Sequence, residues 1–296
     1  MPVWPPRKQD SRRAGGFTTG VKVGKVPKVV YIGGYGHSGS TVLEYIMAGS
    51  PAVLACGEVI SSLRRGTRKP ETCTCGREGH ECAVWGFFYS ASNNGIPWSH
   101  ALILHALVHQ AGNRYSALVD SSKTAWGSLC TPFRLKREFG PDFMMVHLTR
   151  EPRAVCWSVL KQKNRRAKRS KRRLPHYVLR CSWVVLGWWL ANLSCDLFGI
   201  IHPRHYLRLR YEDFVQFPIE TLRSLYETLL PDARWEYCEP SVCDNRHQLH
   251  GNNVRYRDIT ISDLKEDLKW QREMPAEYSR VVSSLSYLLC VRYGYV

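Results

Sequence analysis

Apolar residues along this chain follow two rhythms. The runs Lys28 to Ile32 (KVVYI), Ala117–Asp120, Phe143–Leu148 and His205–Leu209 are short, rich in apolar and β-branched residues, and read as buried strands. Over roughly 99–111, 152–166, 177–199, 218–230 and 275–290 the apolar positions instead recur at helical spacing. Val42, Leu43, Ile46 and Met47 share that spacing until Gly49-Ser50-Pro51 stops it. Strands alternating with helices of this length predict a single α/β domain with a central parallel sheet flanked by helices. No internal repeat is visible. In such sheets ligands gather at the carboxyl ends of the strands. Residues 1–27, with Pro2, Pro5, Pro6, Gly15, Gly16 and Gly20, read as a mobile basic tail ahead of a domain covering 28–296.

Composition narrows the class. With 44% hydrophobic residues in a chain of 296, a sizeable core forms and wholesale disorder is excluded. The net charge, 42 − 25 = +17, is unevenly placed. Residues 1–28 carry seven basic side chains against Asp10, and residues 161–173 (KQKNRRAKRSKRR) carry nine with no acid. The rest of the chain is nearly neutral. An excess of this kind points to anionic ligands or surfaces. The most apolar window, Cys181 to Cys195, contains Asn192 and is shorter than the ~20 residues of a membrane span, so it reads as a buried helix. The eleven cysteines are scattered among apolar residues and read as thiols that stay reduced. The first residues hold no apolar signal segment, and the expectation is a soluble, cytoplasmic protein.

Candidate chemistry starts after the first strand. Gly34-Tyr-Gly-His-Ser-Gly39-Ser40-Thr41 has the spacing of a phosphate-binding loop, with Ser40 where the lysine of an NTPase would stand. Glycines permit the tight turn, and amides at a helix N-terminus face an anion. Without that lysine, which grips the β- and γ-phosphates, a nucleotide triphosphatase or kinase reading is weakened. An ordinary strand-to-helix turn is the bland alternative.

This loop resembles the 5′-phosphosulfate loop of sulfotransferases that use 3′-phosphoadenosine 5′-phosphosulfate (PAPS), and the resemblance continues in order along the chain. Leu148-Thr-Arg150-Glu-Pro-Arg-Ala-Val-Cys-Trp-Ser158 is similar to the family's 3′-phosphate motif. RLRYEDF at Arg208–Phe214 with Pro218 resembles its Y-E-D segment, and His250-Gly-Asn-Asn-Val-Arg255 its late G-N-P-x-R loop. Val119-Asp-Ser-Ser-Lys123 resembles a strand end of bacterial and carbohydrate-type members. The resemblance covers about residues 28–296. His37 stands where many members carry Lys or Arg, Asn253 replaces the usual proline, and Glu151 replaces the commoner aspartate. The basic run at 161–173 matches no pattern of the family as a whole.

The resemblance implies PAPS as sulfuryl donor and assigns roles. Gly36, His37, Ser38, Gly39, Ser40 and Thr41 are the expected donors to the 5′-phosphosulfate. Arg150 and Ser158 are expected at the 3′-phosphate, where guanidinium and hydroxyl donors suit a phosphate. Tyr211 and Arg255 are expected to flank the nucleotide. Lys123, ending a strand, is expected at the sulfate or the bridging oxygen. Glu58, after Cys56-Gly57, resembles the catalytic glutamate of tyrosylprotein-type relatives; as a base near a buried acceptor it is expected to have a raised pKa. A structural salt bridge is its alternative role, and His37 is the rival base or leaving-group donor.

Cys73, Cys75, His80 and Cys82 offer the donors of a tetrahedral zinc site. Their spacing is irregular, however, and a disulfide or free thiols are the favoured reading, with no metal required for the reaction. His100, His105 and His109 fall at helical spacing with no evident carboxylate and read as ordinary helix residues. The run at 161–173 suits electrostatic capture of an acidic acceptor, a polyanion or a membrane surface. Lacking interleaved aromatics, it does not suggest specific nucleic-acid binding. A non-catalytic polyanion-binding protein is the remaining alternative, and nothing in the sequence names the acceptor.

Overall fold

The computed structural model describes residues 26–67, 71–93, 97–124, 128–170, 176–231, 236–239 and 245–296. The expected basic tail, up to residue 25, and residues 171–173 of the basic run lie outside them. Five strands are described: β1 (Lys28–Gly33), β2 (Val53–Ala55), β3 (Ala117–Asp120), β4 (Phe143–Thr149) and β5 (Tyr206–Arg210). They form one sheet in the order β2-β3-β1-β4-β5, and every pairing is parallel. Four of the five follow the apolar pattern to within a residue. β2 escapes it because three residues are too few to show a period.

Successive strand residues feed opposite faces, as the pleat requires. Val29, Tyr31, Leu118, Phe143 and Met145 enter one buried cluster; Val30, Ile32, Val119, Met144 and Val146 enter another. Both faces are covered, which is why the strands read as apolar throughout rather than alternating. The helices are α1 (Ser40–Met47), α2 (Val59–Arg65), α3 (Gly86–Asn93), α4 (His100–Ala111), α5 (Thr131–Phe139), α6 (Pro152–Ser170), α7 (Tyr177–Ile201), α8 (Tyr211–Gln216), α9 (Pro218–Leu229), α10 (Lys269–Glu273) and α11 (Ala276–Tyr293). α8 stops at Phe217, before Pro218, whose ring disfavours helix in the preceding residue.

α6 runs four residues beyond its predicted end, so the basic run up to Ser170 continues this helix. α7 departs from the expected buried helix. Val184, Val185, Trp188, Ala191 and Cys195 are buried, while Leu179, Trp183, Leu186, Leu197 and Ile200 form an exposed apolar stripe. At 25 residues, with an 18-residue window of mean hydropathy 1.6, it is long and apolar enough to cross a membrane, yet half of that window is buried inside the fold. Its inner face holds a polar junction: Asn192 Oδ1 lies 2.8 Å from His147 Nε2 on β4, and Arg292 of α11 pairs with Asp196. Burial pushes the His147 imidazole down to about 4, so it stays neutral. The expectation that every thiol stays reduced fails at Cys238, which is disulfide-bonded.

Candidate functional site

β1, β3 and β4 end side by side, and each delivers one piece of the site at its carboxyl edge. After β1 the chain turns through Gly34–Gly39 into α1. Gly39 is the N-cap of that helix at φ 95°, and a Cβ there would lie 2.4 Å from the Tyr211 ring. Only glycine satisfies both conditions. Gly36 differs: a Cβ there would meet nothing within 4 Å, leaving open space over the loop. The Ser38 and Ser40 hydroxyls are buried and have no hydrogen-bond partner among the described residues. Buried polar atoms are nearly always satisfied, so two orphans on one anion-binding-type loop mark a place for a polar ligand.

Arg150, just past β4, closes the other side of the loop. It is buried, donates to the His37 carbonyl at 3.0 Å, stacks 4.5 Å over the Tyr211 ring and pairs with Asp267 at 3.6 Å. Ser158 Oγ, two turns into α6, lies 2.8 Å from His37 Nδ1. The structure therefore unites His37, Arg150, Ser158, Tyr211 and Gly39 in one cluster. Tyr211 is packed between Gly39 and Arg150 and belongs to a buried cluster of the core.

The second cluster joins β3 to the turn before α2. Lys123 Nζ donates to Glu58 Oε1 and Ser61 Oγ to Glu58 Oε2, the latter at 2.8 Å. Burial raises the Glu58 pKa, but the Lys123 ammonium and the bonds from Lys123 and Ser61 outweigh it, and the net shift is downward. The expected raised pKa is thus reversed. Arg255 is buried nearby and adds to the lowering; its guanidinium donates to the Gly251 carbonyl at 2.6 Å and stacks on Tyr256. Arg255 thus buttresses its own loop beside Glu58. His37 (φ 69°) and Lys123 (φ 66°) are, among the described residues, the non-glycine residues with positive φ. Such strain costs of order 1–3 kcal/mol and tends to collect where a side chain must be aimed.

Glu44, which sequence reasoning missed, ties these clusters together, and Asp120 supports the second. Glu44, on α1, is fully buried; its carboxyl accepts from the Gly57 amide and from Ser121 Oγ, both at 2.5 Å. It bridges the glycine loop's helix to the turn bearing Glu58 and to the strand end bearing Lys123. Burial pushes its pKa up to about 8. Asp120, also fully buried, takes Nε2 of His100 at 2.7 Å and the Val59 and Ser122 amides. His100 is therefore not an ordinary helix residue: it has a carboxylate partner twenty positions along the chain. His80, by contrast, is half-exposed and pairs with Glu78 and Glu81, so it leaves the proposed Cys-His set.

An anion cradle on one side and an ammonium–carboxylate pair on the other suit transfer of an anionic group to a deprotonating acceptor. The model of the sulfotransferase family matches residues 27–235, which hold the glycine loop, Glu44, Glu58, Asp120, Lys123, Arg150, Ser158 and Tyr211. The chain belongs to the sulfotransferase family. This sulfotransferase is similar in fold to the sulfotransferase domain of the curacin biosynthetic pathway, at 19% identity and a TM-score of 0.55, over 88% of this chain and 98% of that one. It is also similar to the sulfotransferase domain of the Synechococcus PCC 7002 olefin synthase, at 20% identity and a TM-score of 0.54, over 90% and 96% of the two chains. No curated protein matches it significantly.

Proposed function

We propose that this sulfotransferase takes its sulfuryl group from PAPS and passes it in line to an acceptor hydroxyl or amine, with no metal in the reaction. The observation that carries the proposal is the pair of unpartnered buried hydroxyls, Ser38 and Ser40, on a loop clamped by buried Arg150. In this reading the amides and hydroxyls of Gly36 to Thr41 hold the 5′-phosphosulfate, and Arg150 and Ser158 hold the 3′-phosphate. Glu58 takes the acceptor's proton as the acceptor oxygen bonds to sulfur. The bond from sulfur to the bridging oxygen breaks, its electron pair stays with the departing phosphate, and Lys123 steadies that charge. Lys123 has a double task, because before the reaction the same ammonium keeps Glu58 ionised and ready to accept a proton.

Calorimetric titration separates this reading from its rivals. Adenosine 3′,5′-bisphosphate should bind tightly and ATP with Mg²⁺ should not, and labelled sulfate should move from PAPS into at least one member of an acceptor panel. Preferential binding of ATP with Mg²⁺ would favour a phosphoryl transferase. Binding of polyanions alone would favour a non-catalytic protein.

A further inference from the structure

Away from the cleft, four soft donors converge on one point. Cys82 Sγ lies 3.6 Å from Cys73 Sγ, 3.8 Å from Cys75 Sγ and 3.3 Å from His247 Nδ1. All four ligand atoms lie within 4.8 Å of one another. A tetrahedral zinc ion, bonded at about 2.3 Å to sulfur and about 2.0 Å to nitrogen, has S···S edges of roughly 3.8 Å and S···N edges of roughly 3.5 Å. The three edges at Cys82 lie close to those values, and the remaining ones are no longer than 4.8 Å. Disulfide sulfurs approach to about 2.0 Å, and one disulfide would leave a third thiol and the imidazole unexplained.

The geometry points to a structural zinc site formed by Cys73, Cys75, Cys82 and His247. Four protein donors, of which Cys73, Cys82 and His247 are buried, make a closed set with no position for substrate. Thiolates and imidazole select zinc over hard cations such as magnesium or calcium.

The surroundings hold the donors in place from both sides. Cys73 to Gly76 form a tight knuckle: the Gly76 amide donates to the Cys73 carbonyl and the Cys73 amide to that of Arg77. Backbone amides also reach the sulfurs, those of Val84 and Trp85 at Cys82 and that of Arg77 at Cys75. Such amides are the usual outer shell of a zinc thiolate. On the far side, residues 245–247 extend the β2 edge, with Ala55 and Arg246 bridged in parallel. Trp85 Nε1 donates to the His247 carbonyl at 2.6 Å, and Thr74 Oγ1 to that of Arg246 at 2.7 Å. The ion would therefore pin two segments 165 residues apart. The second continues to His250, whose carbonyl takes the Glu58 amide at 3.0 Å, and on to Arg255. The site thus anchors the strap beneath the candidate base.

Elemental analysis of the full chain, purified without chelator and exhaustively dialysed, is expected to find one zinc per molecule. Replacing it with cobalt(II) should give the visible bands of tetrahedral thiolate coordination. Cys82→Ser and His247→Ala should lose most of the metal, while His80→Ala keeps it. Should those variants fail to fold, His247→Cys supplies the second reading: it should retain one equivalent and shift the cobalt bands. Folded wild-type protein that holds no zinc and takes up no cobalt would overturn the assignment. So would a peptide map linking Cys82 to Cys73 or Cys75, or metal loss in His80→Ala with retention in His247→Ala.

Discussion

At the scale of single residues, the site is governed by carboxyls whose surroundings pull in opposite directions. Glu58 is held ionised by Lys123, so Glu58→Gln should leave nucleotide affinity intact and lower turnover by about 10²-fold or more, the usual worth of a general base. The acid limb of the kcat/KM profile should lie below the ordinary glutamate range, and Lys123→Met should move it upward; a limb that does not move would shift the base role to His37. Glu44 is the opposite case. Its folded pKa of about 8 lies above its ordinary 4.5, so between these values the folded state holds a proton the unfolded chain lacks. Its contribution is full below 4.5, falls by up to ~1.4 kcal/mol per pH unit as pH rises, and is gone above 8. Subtracting the stability curve of Glu44→Gln, measured by denaturant unfolding from pH 5 to 9, should isolate that downward slope. The sequence marked Glu58 because, following Cys56-Gly57, it resembles the glutamate of tyrosylprotein-type relatives. It hid Glu44, which looks like one more polar position on a short helix until the fold turns it inward.

At the scale of elements, the loop between β1 and α1 separates folding from binding. Gly39→Ala puts a side chain at φ 95° and into the Tyr211 ring, so it should lower the melting temperature and abolish nucleotide binding together. Gly36→Ala faces open space and should leave the melting temperature unchanged while weakening binding of adenosine 3′,5′-bisphosphate and PAPS. Calorimetry and thermal unfolding of the pair check this; equal losses of stability would mean that Gly36 serves the fold and not a ligand. The strands and helices around the loop were legible because each is long or apolar enough to show a period. β2 was not, and neither was the exposed stripe of α7, since a continuous apolar run does not say which side faces the core.

At the scale of the whole molecule, the charge is concentrated in residues 1–28 and 161–173, and the rest of the chain is nearly neutral. Lys161 is tied to Glu273, so if the basic run captures an acidic acceptor, the cations to test are those further along. Neutralising Arg165, Arg166, Lys168, Arg169, Lys171, Arg172 and Arg173 should raise the acceptor KM several-fold with little change in PAPS affinity, which rests on the loop and Arg150. The wild-type KM should climb with salt, as exposed charges are screened beyond ~8–10 Å near physiological ionic strength, and the variant's should stay flat. Steady-state kinetics from low to high salt decide it. Identical KM values and salt slopes would show that the run takes no part in acceptor capture.

The sequence by itself determined the α/β class, the strand ends on which chemistry sits, and the glycine loop, because each depends on neighbours within a few positions of the chain. It also brought forward His37, Arg150, Ser158, Lys123 and Glu58 as motif residues. Only the tertiary structure decided which of them meet: His37 with Ser158 and Arg150, and Glu58 with Lys123. It also reversed the sign of the Glu58 shift, gave His100 its carboxylate, and replaced His80 by His247 beside the three cysteines. The physical reason is common to all of these. A pKa, an ion pair or a ligand set is fixed by what lies within a few ångströms, and in a parallel sheet those neighbours come from strand ends and loops far apart in the chain.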